Sequence, residues 1–209
     1  HSFTLFPYTT LFRSAFMDLL KQDHHLFAVS DLCPNKRIQT KLLPEVPYIY
    51  RWWFPADSLP MQLLQEHISN HPKDIVMDYV NKRLKRQIFG EKEYYALYVG
   101  KSKNGRNRFT EHIHGPLRQS TLRKTIAAIL LLMKQEVTQV NITNVLRECY
   151  FEWIELKNNY TDDSELMDCF EMMAIAIGYY PLNMEGNTSI SEEWKKSIVD
   201  RRKELKDYK

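Results

Sequence analysis

The stretch YYALYVGKSKNGRNRFTEH, residues 94–112, places a strand, a glycine turn and a basic segment in immediate succession. Its beginning, Tyr94–Val99, is aromatic and aliphatic with no glycine or proline, which predicts a strand. Gly100 and Lys101 then open a polar turn, and residues 106–114 predict the start of a helix. A strand that is followed by a glycine–lysine turn and then by arginines can present cations to a phosphate group. Many ordinary surface loops have the same composition, so the rest of the chain must decide.

Two other segments also predict strands. Residues 47–54, PYIYRWWF, are aromatic through most of their length and are closed by Pro55. Residues 150–156, YFEWIEL, alternate as a strand should. Apolar periodicity and capping residues predict helices at 57–67, 74–88, 120–133, 141–148 and 162–177. The first is interrupted near Pro60, Ser120 caps the third, and Asp162 with Glu165 opens the last. A further charged helix is predicted from Ser191, anchored at most by Trp194 and Ile198. Three predicted strands among helices are the elements of an α+β fold with a small three-stranded sheet.

The composition argues against several classes of protein. The 209 residues carry a formal net charge of +3, so any preference for nucleic acid must come from local patches and not from the net field. The three cysteines, Cys33, Cys149 and Cys169, are widely spaced and form no CxxC pair, which argues against a disulfide framework and favours a reducing cytoplasm. The apolar run at 126–133 is too short for a membrane span and predicts a buried helix.

The N-terminal residues include a stretch that matches a laboratory DNA sequence. Residues 4–14, TLFPYTTLFRS, equal the translation of a widely used short-read sequencing adapter. We therefore expect residues 1–14 to be a non-native segment and exclude them from the fold. A genuine apolar leader is the competing interpretation. Residues 15–45 are then an N-terminal segment, and because the chain begins with His1 we expect its native start to be missing.

Four motifs follow one another along the chain. Pro47-Tyr48-Ile49-Tyr50 is followed by Tyr98-Val99-Gly100-Lys101, then by Arg108 with His112 four residues later, and then by Glu171 with Asn183 twelve residues later. This ordered set resembles the GIY-YIG nuclease superfamily. The chain departs from the family pattern in two ways: Tyr48 stands where the family usually has glycine, and the two tyrosine half-motifs are unusually far apart.

The resemblance implies a small, mainly antiparallel sheet flanked by helices and an endonuclease that hydrolyses DNA with Mg²⁺ or Mn²⁺. It implies that Tyr50 is the general base, which needs nearby cations such as Lys101 and the metal to ionise. Glu171 would be the metal ligand, and Arg108 would clamp phosphate oxygens bidentately. The implied site residues are Tyr50, Tyr98, Lys101, Arg108, His112, Glu171 and Asn183.

Each residue of this set also has a plainer interpretation. Tyr50 and Tyr98 are ordinary sheet residues when taken alone, and Asn183 is an ordinary turn residue. We expect His112 to contact the phosphate or the attacking water. His112 and His114 resemble two histidine ligands of a metal ion, but no third ligand is near in the sequence, which argues against a zinc site.

The resemblance also sets the domain organisation. Residues 46–185 are predicted to form the nuclease domain, with insertions at 55–93 and 115–143 and a charged helical tail at 186–209. The insertions favour a stand-alone, restriction-type nuclease over a repair enzyme. We expect DNA as partner, no membrane association, a cytoplasmic location and a possible homodimer. The alternative function is a catalytically silent nucleic-acid-binding module of the same fold.

A basic cluster at the end of the predicted helix 74–88 is a candidate DNA contact. Its competing interpretation is a solvated helix face that complements the helix dipole. The cluster consists of Lys82, Arg83, Lys85 and Arg86.

Overall fold

The computed structural model describes residues 24–33, 36–43, 45–70, 82–156 and 164–205. The adapter-like residues 4–14 and the larger part of the predicted helix 74–88 lie outside these ranges, as does Asp162. The predicted α+β class is confirmed within the described residues.

The described residues form a five-stranded antiparallel sheet in the order β1-β5-β2-β4-β3. The strands are β1 His25–Ala28, β2 Tyr48–Pro55, β3 Arg86–Phe89, β4 Lys92–Ser102 and β5 Tyr150–Glu155. The predicted three strands correspond to β2, β4 and β5, and the central β2 is buried along its whole length.

The count of three strands is wrong because two short edge strands were missed. β1 has only four residues, and it pairs with β5, which is far away in the sequence. β3 pairs with β4 through a tight turn in which Gly90 adopts a φ of 64°, a conformation that glycine enters without strain. Residues 86–88 were predicted as the end of a helix and instead belong to β3.

Eight α-helices surround the sheet within the described ranges. They are α1 Val29–Leu32, α2 Lys36–Leu42, α3 Leu59–Ser69, α4 Gly105–His114, α5 Thr121–Leu132, α6 Gln139–Arg147, α7 Ser164–Ile177 and α8 Glu192–Glu204. Ser120 caps α5 as predicted, because its hydroxyl accepts the N–H of Arg123 at 3.1 Å. Pro60 does not interrupt α3, since it lies in the first turn, where its missing N–H has no intrahelical partner to lose.

The two faces of β2 pack against different helices. Tyr48, Tyr50, Trp52 and Phe54 belong to one buried cluster with α4, α5 and α8. Ile49 and Trp53 belong to a second cluster with α7. The helix that begins after Ser191 is part of the first cluster and not a loosely held tail: Trp194 is 1% exposed and donates its indole N–H to the carbonyl of Pro181 at 2.7 Å.

Tyr48 fits at the start of β2 because a glycine faces it. The Tyr48 hydroxyl donates to the carbonyl of Gly105 at 2.7 Å, and a Cβ on Gly105 would lie 1.8 Å from the Tyr48 ring. The bulk that this chain carries at position 48 is thus accommodated by the absence of a side chain at the first residue of α4. Among the described helices, none is both long enough and apolar enough to cross a membrane.

Candidate active site

The hydroxyl of Tyr50 is the point at which three predicted site residues meet. Asn104 caps α4 by accepting the N–H of Asn107, and the helix then directs Arg108 and His112, one turn apart, towards β2. Arg108 Nε donates to the Tyr50 hydroxyl at 3.2 Å, and His112 Nε2 lies 2.8 Å from the same oxygen. Three of the residues that the resemblance implied therefore meet at one oxygen.

Tyr50 lies in an aromatic setting that excludes water. Its ring centroid is 5.4 Å from that of His112 and 6.3 Å from that of Tyr98, and only 1% of the residue is exposed. Burial raises the pKa of Tyr50 well above its usual value, the neighbouring Tyr98 adds to this, and the charge and hydrogen bond of Arg108 oppose it. Tyr50 is consequently a neutral phenol in the resting protein.

Gly100 makes room for the Tyr50 ring. The two residues are cross-strand partners in the β2–β4 pairing. A Cβ on Gly100 would lie 2.5 Å from both the hydroxyl oxygen and Cζ of Tyr50. The glycine of the Tyr98-Val99-Gly100 motif is therefore needed for close approach of the ring and not for turn formation.

His112 is completely buried, and both of its ring nitrogens have partners. Nε2 contacts Tyr50, and Nδ1 lies 2.7 Å from the hydroxyl of Ser120. Burial lowers the pKa of His112 well below its usual value, and the charges of Arg108 and Arg123 lower it further, so the ring is neutral. The expected direct contact of His112 with phosphate does not fit this geometry; His112 supports Tyr50 instead.

Arg108 reaches the site with one of its three guanidinium nitrogens, Nη2, not hydrogen-bonded to the described residues. Its Nη1 donates to Glu111 Oε2 at 2.8 Å and to the carbonyl of Gln119 at 3.1 Å. Within the described residues its Nη2 has no hydrogen-bond partner, and the side chain is 23% exposed, so a ligand can reach it. A phosphate could therefore bind Nη2 directly, whereas the predicted bidentate clamp would require Glu111 to release Nη1.

α7 brings a second group of predicted residues to the C-terminal end of β4. Lys101 forms a salt bridge with Asp168, one helical turn before Glu171. Glu171 is half-buried and has neither a hydrogen bond nor a salt bridge among the residues that the structure describes. Burial raises its pKa, while the charges of Lys101 and Arg108 act in the opposite direction. Lys101 thus lies beside the carboxylates of α7, and its charge is directed to them more than to Tyr50.

Asn183 is a structural clamp in this arrangement. Its Oδ1 accepts the N–H of Val99 at 3.0 Å, and its Nδ2 donates to the carbonyl of the same residue at 2.8 Å. The side chain is buried, and both ends of its amide are occupied. Asn183 therefore fixes β4 next to Tyr98 through the backbone of Val99.

Two residues near the site carried no motif signal. Ser120, at the end of the turn before α5, touches His112, and its sequence signature indicated only a helix cap. Arg202 lies on α8, has a side chain that is 12% exposed, and contacts the hydroxyl of Thr125. Burial raises the pKa of Tyr98, and the positive charge of Arg202 is one of the groups that act against this rise.

The predicted basic cluster is not one helix face. Lys82 is exposed, whereas Arg83 donates its Nε to the carbonyl of Ile177 at 3.1 Å. Lys85 is half-buried, and Arg86 lies on β3 with its Nη1 3.6 Å from Glu93. Arg83 and Arg86 thus contact different neighbours, and the contact of the four residues with DNA stays a prediction.

The donor set suits a hard cation that retains water ligands. The described residues contain no group of three or more His, Cys, Asp or Glu side chains able to hold a metal ion. Glu171, a half-buried carboxylate with no hydrogen bond or salt bridge to the residues that the structure describes, is the donor that the predicted metal role requires. Mg²⁺ is commonly held by one or two carboxylates, with water and substrate phosphate completing its shell, so the residues present fit such an ion.

Comparison with known families agrees with the geometry. The family model described as the GIY-YIG catalytic domain matches residues 48–204, which is three quarters of the chain. The chain belongs to the GIY-YIG family. The GIY-YIG match begins at Tyr48 and includes α8, so the helix that carries Arg202 lies within the matched region. No match was found among the curated proteins or among the solved structures.

Proposed function

We propose that this GIY-YIG protein is a metal-dependent endonuclease that hydrolyses phosphodiester bonds of DNA, with Tyr50 as the general base for the attacking water. The observation that carries the proposal is the placement of the Tyr50 hydroxyl between Arg108 and His112, at 3.2 and 2.8 Å. Any buried hydroxyl needs a hydrogen-bond partner, but here one of the partners is a guanidinium, and its positive charge favours the phenolate.

Arg108 has two tasks in this mechanism. Tyr50 is a neutral phenol at rest and must lose its proton to solvent before it can accept one from the attacking water. The Nε hydrogen bond and the charge of Arg108 favour that phenolate form, in opposition to burial. Its open Nη2 would bind a phosphoryl oxygen and keep the scissile group beside the tyrosine. One guanidinium thus links the base to the substrate, which favours a reactive geometry.

Glu171 is the residue that would hold Mg²⁺ or Mn²⁺. When bound, such an ion would stabilise the charge on the phosphoryl and leaving oxygens. Lys101 would keep the neighbouring Asp168 neutralised, which leaves Glu171 as the carboxylate available to the ion. Tyr98 and Asn183 would act indirectly, by forming the wall of the Tyr50 pocket and by fixing β4.

The test is cleavage of supercoiled plasmid DNA by the full chain with Mg²⁺, with Mn²⁺ and with EDTA. We expect nicked or linear DNA only with a metal, and no cleavage by Glu171→Gln, which keeps the side-chain volume but removes the charge. Glu165→Gln, at an exposed position of the same helix, is the matched control and should cleave normally. DNA binding without metal-dependent cleavage would contradict the proposal and favour a catalytically silent binding module.

DNA is the proposed partner, and a restriction-type role is the proposed context. The cytoplasmic location and the homodimer remain predictions. Sedimentation of the protein with and without DNA would measure the second.

A further inference from the structure

The hydroxyl of Ser120 is buried and has two polar contacts within the described part of the chain. The N–H of Arg123 donates to its Oγ at 3.1 Å, and Nδ1 of His112 lies 2.7 Å from the same atom. A backbone N–H can only donate, so Ser120 is the acceptor in the first contact. Within the described part of the chain, His112 Nδ1 is then the single polar atom that can receive the hydroxyl hydrogen of Ser120.

Hydrogen-bond counting fixes the direction of the second contact. A buried hydroxyl hydrogen without an acceptor costs about 1–3 kcal/mol, so Ser120 donates to Nδ1. His112 is neutral, because burial and the nearby arginines lower its pKa. A neutral imidazole has one N–H group, and when Nδ1 accepts, the hydrogen must be on Nε2.

We propose that Ser120 is a positioning residue that holds His112 in the Nε2–H form, so that His112 and Arg108 both donate to the oxygen of Tyr50. The two donors lie 2.8 and 3.2 Å from that oxygen, and the hydrogen of the neutral Tyr50 hydroxyl is left for Tyr98, with which Tyr50 shares a side-chain hydrogen bond. Donors that are fixed before the reaction stabilise negative charge on an acceptor, and here the acceptor is the phenolate that a general base requires. The catalytic consequence rests on the proposed function, whereas the tautomer does not.

The opposite arrangement can be distinguished from this one. If Tyr50 donated to Nε2, the imidazole hydrogen would be on Nδ1, and Ser120 would have to accept twice while its own hydrogen had no partner. His112 would then be a proton acceptor and not a donor to the phenolate. The two arrangements differ in which nitrogen of one ring is protonated, and this difference can be measured without any cleavage assay.

The first experiment is nitrogen-15 NMR of the histidine rings in the full chain at neutral pH, with His112 assigned by comparison with His112→Gln. We expect the His112 ring to show a protonated Nε2 and an unprotonated Nδ1. A protonated Nδ1 would overturn the proposal. Because the spectrum is of the wild-type protein, the result does not depend on whether any variant folds.

The second experiment uses a pair of variants of equal size. In Ser120→Asn, the side chain can cap α5 and still donate to Nδ1; in Ser120→Asp, it can cap α5 but can only accept. We expect Ser120→Asp to move the hydrogen to Nδ1 and to slow metal-dependent cleavage roughly tenfold or more relative to Ser120→Asn, in line with the loss of one donor to a developing anion. Equal rates despite a changed tautomer would contradict the catalytic role. If the wild-type protein shows the Nε2–H form but does not cleave DNA, the proposed function fails and the tautomer assignment stands.

Discussion

Tyr50 depends on neighbours that do no chemistry themselves. Gly100 leaves the space that its ring occupies, and Ser120 orients the imidazole that touches its hydroxyl. Tyr48, next but one along β2, is accommodated in the same way by Gly105. The side chains around Tyr50 are in such close contact that adding a single methyl group should displace the Tyr50 ring.

Gly100→Ala tests the first of these approaches. The added methyl would lie 2.5 Å from the Tyr50 hydroxyl, so the ring must move and lose its bonds to Arg108 and His112. We expect cleavage to fall by roughly a hundredfold, because an error of about 1 Å in a catalytic position can have this effect. The measurement is the single-turnover rate on plasmid DNA.

Gly90→Ala is the control for that substitution. Gly90 lies in the β3–β4 turn with a φ of 64°, and a methyl group added there would have no atom within 4 Å, so alanine strains the turn and leaves the site alone. We expect a lower melting temperature with a nearly normal single-turnover rate. Equal losses of rate in the two variants would mean that Gly100 matters only for general stability.

At the scale of elements, α8 contributes to the site as well as to the core. Trp194 and Ile198 are buried beneath it, and Arg202 leaves the same helix towards α5. The positive charge of Arg202 acts on Tyr98, so it adds to the cationic surroundings that Arg108 and Lys101 provide. A helix far from the sequence motifs thus has a part in the electrostatics of the proposed site.

Arg202→Gln should therefore reduce cleavage about tenfold, because a fixed positive charge near the developing negative charge is lost. Arg201→Gln is the matched control: Arg201 is exposed and pairs with Glu204 on the outer side of the helix. We expect nearly normal cleavage from the control. Similar rates for the two variants would remove Arg202 from the site.

Local signals in the sequence account for the elements that were predicted correctly. β4 follows from its aromatic run, although the turn predicted at Gly100 and Lys101 is wrong because both residues lie within the strand, and α5 follows from the cap at Ser120. β1 was missed because a four-residue edge strand is specified by its pairing with β5, which is distant in the sequence. β3 was missed because the apolar period of the preceding segment continues into it, which concealed the hairpin turn at Gly90.

The predictability of the site follows the same division. Tyr50, Arg108 and His112 were named by the family resemblance, and their convergence follows because β2 and α4 are each specified by local sequence. Ser120 and Arg202 could not be found, because only tertiary packing brings them near Tyr50 and Tyr98. Asn183 was found by its motif, but its clamp on the backbone of Val99 depends on how the chain returns past β4 after α7.

On the scale of the whole molecule, the sheet has a buried ionisable group on each face. His112 lies on one face, and its pKa is lowered by burial. Glu152 lies on the other, where it accepts hydrogen bonds from Arg51 at 2.8 Å and from Trp53 at 2.6 Å. Burial works against ionisation of Glu152, but the hydrogen bond from His24 and the charge of Arg51 prevail, and its pKa is lowered.

Both shifts make the fold sensitive to acid. The unfolded chain takes up a proton at His112 as the pH falls through about 6.5, and at Glu152 near 4.5, whereas the folded chain takes up neither at those values. Each group therefore lowers the free energy of unfolding as the pH falls below its unfolded pKa, and leaves it unchanged above that value.

His112→Gln should remove the first of these losses. Between pH 7.5 and 5.5, we expect the wild-type protein to lose roughly 1 kcal/mol more unfolding free energy than the variant, measured by urea denaturation at each pH. Parallel curves for the wild-type protein and the variant would show that His112 is not held neutral in the fold.

The central claim is that the hydroxyl of Tyr50 takes part in hydrolysis, and the most direct test is the single-turnover rate of Tyr50→Phe on DNA with Mg²⁺. The substitution removes one oxygen from a buried site, and Tyr94→Phe is the matched control because Tyr94 is a buried sheet tyrosine of the other cluster. We predict that Tyr50→Phe binds DNA but cleaves it at least a hundredfold more slowly, as expected for loss of a general base, and that Tyr94→Phe cleaves normally. Cleavage by Tyr50→Phe at the wild-type rate would contradict the account.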